Sequence, residues 1–277
     1  MHGYFSEGGL TDRPFVYEVT TLAPNPGFYN MLVTARQPTS PSTNQTGDFY
    51  PVADAELPLG PVCFSALVSF RPTSPSELSG QEPSAQSRFA EVLRSRSPSA
   101  WDPAPSIDIL GLLKFLPRDF VGIFPAVEMR KVDMEAYNEG RPMHERRDLI
   151  LYRLLAPLPT DDPNAHILVH AYAADRNGLL MTANHAGIGY NFGRAVSLSY
   201  SFVVHVNPEE AVMKYSESES EDVGQWWLQE MCVPRVGADR GIIMCKIWSP
   251  KGVHVATEYQ DGIVRPARHP KDAKEKL

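Results

Sequence analysis

Residues 164–187 read NAHILVHAYAADRNGLLMTANHAG, and this stretch decides the fold. Its apolar residues, among them Ile167, Ala171 and Leu179, recur at the spacing of one helix face. Gly187 is a typical helix stop. The pattern therefore predicts one long helix, with β-rich sequence on both sides of it.

The flanking sequence alternates apolar and polar residues in short β-branched and aromatic runs, which predicts strands. An order of strands, one helix and then several antiparallel strands indicates an α+β fold with a sheet wrapped on the helix. Trp226 and Trp227 open one predicted strand, where alternation would send one ring inward and the other outward. The predicted strands are 15–22, 28–36, 62–70, 126–138, 147–155, 196–206, 226–232, 241–248 and 253–264.

The first half offers strands without a matching helix. Between the halves the chain is rich in proline and serine and includes the apolar segment IDILGLLKFL at 107–116. Because an uncovered apolar sheet face is rare in monomers, we expect Leu110 and Leu113 to be buried against the first sheet or across a homodimer interface. The predicted domains are a partial N-terminal domain at 1–75, a linker at 76–122, a C-terminal domain at 123–268 and a charged tail at 269–277.

Composition excludes several classes of function. The net charge of −7 and the lack of a basic stripe argue against nucleic acid as a partner. No apolar stretch is long enough for a membrane span. The three cysteines, Cys63, Cys232 and Cys245, fit no metal spacing and indicate free thiols in a reducing compartment. Without a signal peptide pattern we expect a cytoplasmic protein; the ending Glu275-Lys276-Leu277 keeps the peroxisome as an alternative.

Four segments share the order and spacing of a known family. They are YAADRNGLL at 172–180, SLSYSFVVH at 197–205, PRVGADRG at 234–241 and VATEYQDGIVR at 255–265. Together they resemble the acyl-CoA thioesterase II family, and RPFVYEVTTL and CFSALVSF resemble strands of its N-terminal half. The resemblance implies a tandem, or double, hotdog: a curled antiparallel sheet wrapped on a long helix. It also implies that the first hotdog lacks its N-terminal helix, and it implies no metal or organic cofactor.

The family places an acid, a hydroxyl and a glutamine around the thioester. In this chain the acid position holds Ser199 and the hydroxyl position holds Pro234, while Gln260 is retained. The resemblance therefore implies Gln260 as a positioning residue and Ser199 as the group that holds a water or a substrate oxygen. A serine hydroxyl cannot replace a carboxylate as a base without help.

Four further side chains are candidates for substrate binding. Ser197 and Ser201 belong to the same alternating polar row as Ser199, which lines a pocket or faces solvent. Asp175 lies within the predicted helix, where a structural role is more common for an aspartate. His185, in the expected loop after that helix, is the candidate base if Ser199 acts as a nucleophile.

These observations leave three functions open. The first is hydrolysis of an acyl-CoA, acyl-carrier or polyketide-like thioester in a biosynthetic pathway, since long Pro/Ser insertions and altered motifs resemble fungal members of natural-product pathways. The second is a repurposed hotdog enzyme that catalyses cyclisation, dehydration or isomerisation. The third is a catalytically inactive acyl-binding protein. Release of free thiol from an acyl-CoA would distinguish the first from the others.

Overall fold

A computed structural model describes the chain at residues 1–44, 49–105, 107–109, 111, 126–176, 178–216 and 225–267. The chain divides into two compact units. The first contains Met1–Thr73 and Leu198–Ser201, and the second contains Ser74–Ser197 and Phe202–Leu277.

The first unit is an antiparallel sheet. Its strands are β1 (His2–Phe5), β2 (Val16–Asn25), β3 (Phe28–Pro38) and β4 (Leu59–Phe70), in the order β2-β3-β4-β1. β1 also pairs with residues 199–201. Within the described part of this unit, helical structure is limited to one 3₁₀ turn at Val52–Glu56. The predicted strands at 15–22, 28–36 and 62–70 are confirmed, whereas β1 was not predicted.

One face of the first unit is apolar and exposed. The strand register places Tyr17, Val19, Tyr29 and Phe70 on this face. All four side chains are exposed, and Tyr17 is 66% accessible. This is the face that lacks a helix in the sequence-based prediction, and an exposed apolar patch of this kind is typical of a surface that another element covers.

Most of the segment predicted to cover this face, including Leu110 and Leu113, lies outside the described residues. Its described part belongs to the second unit. There Ile109 is buried, and Asp108 pairs with Lys131. The homodimer alternative stays a prediction.

The second unit is built on a longer antiparallel sheet. The strands are β5 (Asp102–Pro103), β6 (Val127–Lys131), β7 (Asp148–Leu154), β8 (Phe192–Val204), β9 (Trp227–Gly237), β10 (Arg240–Trp248) and β11 (His254–Pro266). Their order in the sheet is β8-β11-β10-β9-β7-β6-β5. The single strand predicted at 126–138 is wrong beyond Lys131, because a helical turn, α3 (Glu135–Asn138), follows β6.

The long helix predicted at 164–187 is two helices. α4 (Pro163–Asp175) begins after Asp162, whose carboxylate caps the Ala165 N–H, and it ends where Arg176 turns to extended backbone. α5 (Gly178–His185) follows. Both helices pack on β10 and β11. Periodicity missed the break because the apolar spacing continues across it.

Buried aromatic side chains form a hydrophobic cluster in this unit. Two short helices, α1 (Ala85–Arg88) and α2 (Ala90–Arg94), lie within the predicted linker and bring Phe89 into this cluster with Trp101, Trp226 and Trp248. The neighbouring Trp227 packs on His170, with ring centroids 4.2 Å apart. The expectation that one of the adjacent tryptophans faces outward is wrong, because protein covers both faces of the sheet where β9 begins.

His170 fixes α4 to the sheet. The Tyr152 hydroxyl donates to its Nδ1 at 2.8 Å, and its Nε2 donates to the Ala211 carbonyl at 2.8 Å. Both bonds require the neutral ring with its proton on Nε2. Burial lowers the pKa of His170 to about 4.

A depressed histidine pKa predicts acid sensitivity. In the unfolded chain the pKa of His170 is about 6.5, so below this pH the unfolded chain binds a proton that the folded chain does not. The free energy of unfolding therefore falls until the pH reaches the pKa of folded His170. Between pH 7 and pH 5 this lowers the free energy of unfolding by about 2 kcal/mol. Burial lowers the pKa of His254 to about 4 as well, so part of the acid loss is independent of His170. Urea unfolding at both pH values should therefore show a loss that is about 2 kcal/mol smaller in His170→Gln than in the wild type. An equal loss in the variant would assign the acid sensitivity to other groups.

The described residues test two further expectations from the sequence. Cys63, Cys232 and Cys245 are free, as predicted, and all three are buried. None of the helices in the described ranges has the length and apolar character needed to cross a lipid bilayer.

Candidate active site

A cavity of about 350 Å³ opens in the second unit where α4 ends and α5 begins. Its volume is within the range of small-molecule sites. Polar and apolar side chains share its wall, so it can take an apolar chain and still hold a polar group. The lining residues are Tyr172, Asp175, Arg176, Gly178, Leu179, Leu180, Ala195, Ser197 and Gln260.

The Gln260 amide is the centre of the polar part. Its Nε2 donates to the Asp175 Oδ1 at 2.9 Å and to the Ser197 Oγ at 3.2 Å. A carboxylate only accepts hydrogen bonds, so this contact sets the orientation of the amide. Three elements, α4, β8 and β11, thus contribute one polar side chain each.

The break between the helices makes room for this amide. A Cβ atom at position 178 would lie 2.8 Å from the Gln260 Oε1, so glycine permits the close approach. The Oε1 atom is buried and has no hydrogen-bond partner among the described residues. It therefore keeps a free acceptor beside the first turn of α5, whose N–H groups lack intrahelical partners.

Asp175 has the electrostatics of a base. The residue as a whole is exposed, yet partial loss of water around its carboxylate raises its pKa above the ordinary value, while the Gln260 hydrogen bond and the charge of Arg176 act in the opposite direction. The carboxylate also lies at the C-terminus of α4, where the helix dipole disfavours an anion. This position does not stabilise an ionised carboxylate, and it borders a cavity. Asp175 is therefore a candidate functional group.

The structure brings together Asp175, Ser197 and Gln260 of the residues singled out from the sequence. Ser199 and Ser201 belong to the first unit, in the part of β8 that pairs with β1. The Ser201 Oγ lies 2.9 Å from the Nδ1 of His2. The catalytic role predicted for Ser199 stays a prediction.

His185 is not in a loop, as the sequence suggested, but is the last residue of α5. It lies about 10 Å along the helix from Gly178, at 1.5 Å per residue. Its Nε2 is 3.3 Å from the Asp148 carboxylate, so it faces β7. Position and orientation separate it from the Gln260 amide.

Glu258 is the residue of this region that sequence reasoning missed. It precedes Gln260 by two positions on β11, and its side chain is fully buried. A strand that reads VATEYQ shows this acid at the spacing of the inward-facing positions, so strict alternation is the signal that could have found it.

Comparison with known proteins identifies the family. The family model of the acyl-CoA thioesterase C-terminal domain matches residues 113–264, which is more than half of the chain. The chain belongs to this family. The resemblance deduced from the sequence is therefore confirmed, and the cavity of this thioesterase-family chain lies within the matched residues. No curated protein sequence shows significant similarity to it.

Solved structures give this acyl-CoA thioesterase-family chain a double hotdog fold. The acyl-CoA thioesterase II TesB2 from Mycobacterium marinum is 22% identical with a TM-score of 0.58, over 96% of this chain and 80% of that one. A tesB protein from Mycobacterium avium subspecies paratuberculosis is 17% identical with a TM-score of 0.57, over 96% and 77%. A hotdog-fold protein of unknown function from Alicyclobacillus acidocaldarius is 14% identical with a TM-score of 0.53, over 95% and 77%.

Proposed function

We propose that this chain hydrolyses acyl thioesters of the acyl-CoA class, with Asp175 as the general base. The observation that carries the proposal is the Asp175–Gln260–Ser197 cluster at the cavity, next to the start of α5. The family normally has its acid at the position of Ser199. Here a carboxylate from the helix reaches the retained glutamine instead.

The cluster can hold a water molecule in a reactive orientation. One O–H of the water would donate to the Asp175 carboxylate and the other to the free Gln260 Oε1, which leaves an oxygen lone pair for the thioester carbon. Ser197 accepts a hydrogen bond from the Nε2 of the same amide and helps to fix its orientation, with the Oε1 atom next to Gly178. Such positioning of a water and a base typically contributes several orders of magnitude in rate.

Charge develops on the thioester oxygen when the water attacks. The first residues of α5, Gly178, Leu179 and Leu180, line the same cavity. The N-terminus of a helix supplies N–H donors and the positive end of a helix dipole for this charge. Asp175 takes the proton from the water, and the tetrahedral intermediate then collapses to the acid and the thiolate. The proton on Asp175 is available to the departing sulfur.

Incubation with a series of acyl-CoA thioesters tests this function. We expect release of free thiol to depend on the protein and to saturate with substrate. The rate should fall at acid pH, because Asp175 must be ionised and its pKa is raised. A complete lack of thiol release across short, medium and long acyl chains would exclude hydrolysis of this substrate class.

A second function is favoured by the position of the carboxylate. Asp175 could remove a proton from the carbon next to the thioester carbonyl, while the α5 N–H groups stabilise the resulting enolate. Dehydration or isomerisation would follow without release of the thiol. Mass spectrometry of the same incubations separates the two functions, since the products of the second remain attached to CoA.

Several finer expectations from the sequence stay predictions. They are a polyketide-like or carrier-bound substrate, a role in biosynthesis, a homodimer, and location in the cytoplasm or peroxisome. An inactive acyl-binding protein would bind acyl-CoA in the same cavity without turnover. The incubations would then show neither free thiol nor a changed acyl-CoA.

A further inference from the structure

Glu258 is a carboxyl group enclosed by the second unit. Its side chain is fully buried, and neither carboxyl oxygen has a hydrogen-bond partner among the described residues. It lies opposite Cys245 in the β10–β11 register and two positions before Gln260, on the same face of β11. Glu258 and Cys245 therefore belong to one layer of side chains next to the candidate site.

Burial raises the pKa of the Glu258 carboxyl well above its ordinary value, and the negative charge of Asp175 raises it further. The groups that face it offer no compensating cation. α4 contributes Asp175, and β10 contributes the Cys245 thiol, whose own pKa burial raises well above normal. A carboxyl that is fully buried with no hydrogen-bond partner and no cation favours its neutral, protonated form.

A buried carboxyl without hydrogen bonds costs folding free energy, and a residue of similar shape without the acid would cost less. Acids in such unfavourable surroundings next to a cavity are concentrated at functional sites. The position beside Gln260 and the charge coupling to Asp175 connect Glu258 with the cluster described above.

We propose that Glu258 is a positioning residue for the Asp175–Gln260 pair. When Glu258 is neutral, Asp175 is the single negative charge next to the Gln260 amide. The hydrogen bond from Gln260 to Asp175 is then kept. When alkaline pH removes the Glu258 proton, two negative charges share this layer. The Asp175 side chain, which belongs to an exposed residue, then turns to solvent and releases the amide.

The inference rests on the proposed role of Asp175, and Glu258→Gln tests it. This variant keeps the shape and neutrality of the protonated acid at every pH. The wild type should lose activity at alkaline pH, by about tenfold per pH unit above the midpoint, and the variant should not. If the variant loses activity at alkaline pH as the wild type does, the proposal is overturned. This loss is the alkaline limb of the pH–activity profile.

Cys245→Ala is the matched control. Its thiol faces Glu258 and is the other acid of this layer that could ionise at alkaline pH. We expect the alkaline limb to persist in this variant. Its disappearance would assign the limb to the thiol and reject the role of Glu258.

A measurement independent of activity separates this inference from the proposed function. Side-chain amide signals of ¹⁵N-labelled glutamine report the Gln260 hydrogen bond, with Gln37 of the first unit, which donates to the Leu10 carbonyl, as an internal reference. We expect an alkaline step in the Gln260 signal of the wild type that is absent from Glu258→Gln and from Asp175→Asn. If this step is seen but no thiol is released from acyl-CoA, the positioning role of Glu258 is supported and the proposed hydrolysis is rejected. A wild-type signal that does not move while the protein stays folded would reject the positioning role, whatever the activity.

Discussion

Asp175→Asn is expected to lower the rate of thioester hydrolysis by about 10²–10⁴-fold, the usual effect of removing a positioned general base. Asparagine has nearly the same shape, and its Oδ1 can still accept the hydrogen bond from the Gln260 Nε2. The fold should therefore survive with an unchanged melting temperature. The loss should appear in kcat, measured by thiol release, because the carboxylate acts on the water and not on the acyl chain.

Asp261→Asn is the control for this variant. Asp261 is also on β11, one residue after Gln260, but it pairs with Arg240 at the surface. The same change from carboxylate to amide should leave turnover close to wild type, since exposed ion pairs contribute little. If Asp175→Asn keeps wild-type turnover, the base must be sought elsewhere, and Ser199 with an assisting group becomes the better candidate.

Gln260→Ala is expected to reduce turnover by about 10²-fold, because it removes the acceptor for the attacking water and frees the Asp175 carboxylate. The variant also loses two partly buried hydrogen bonds, which lowers the free energy of unfolding by about 1–3 kcal/mol. Activity should be compared per folded molecule, with the folded fraction taken from unfolding curves.

Gln229→Ala separates the two effects. Gln229 is a second buried glutamine of this sheet, and its Nε2 donates to the Ala174 carbonyl at 3.2 Å. Its loss should destabilise the protein to a similar extent while turnover per folded molecule is unchanged. Equal activity losses in both glutamine variants would indicate that Gln260 is structural.

Much of the fold could be predicted from the sequence, because strands and helices leave periodic patterns. The break at the end of α4 could not be. Ala171 and Leu179 continue one apolar spacing across it, whereas the close approach of the Gln260 amide to Gly178 is a tertiary contact that periodicity does not show. β1 was missed because a strand of four residues is too short for alternation to stand out.

The site was predictable in part. Gln260 could be identified from the family resemblance, and Ser197 from the alternating row. Asp175 was assigned mainly to structure, since its distance to Gln260 depends on where α4 ends, which periodicity did not show. Glu258 was passed over because the cost of an acid depends on what covers its strand, and this is a property of packing.

The positions of the tryptophans make the two units distinguishable in solution. All four tryptophans of the chain, Trp101, Trp226, Trp227 and Trp248, are buried in the second unit. Indole fluorescence excited selectively will therefore follow the unfolding of that unit alone. The first unit, which carries tyrosines and no indole, will contribute to far-ultraviolet circular dichroism. Denaturation curves that coincide in both signals would mean one cooperative transition, and curves that separate would give each unit its own stability without any label.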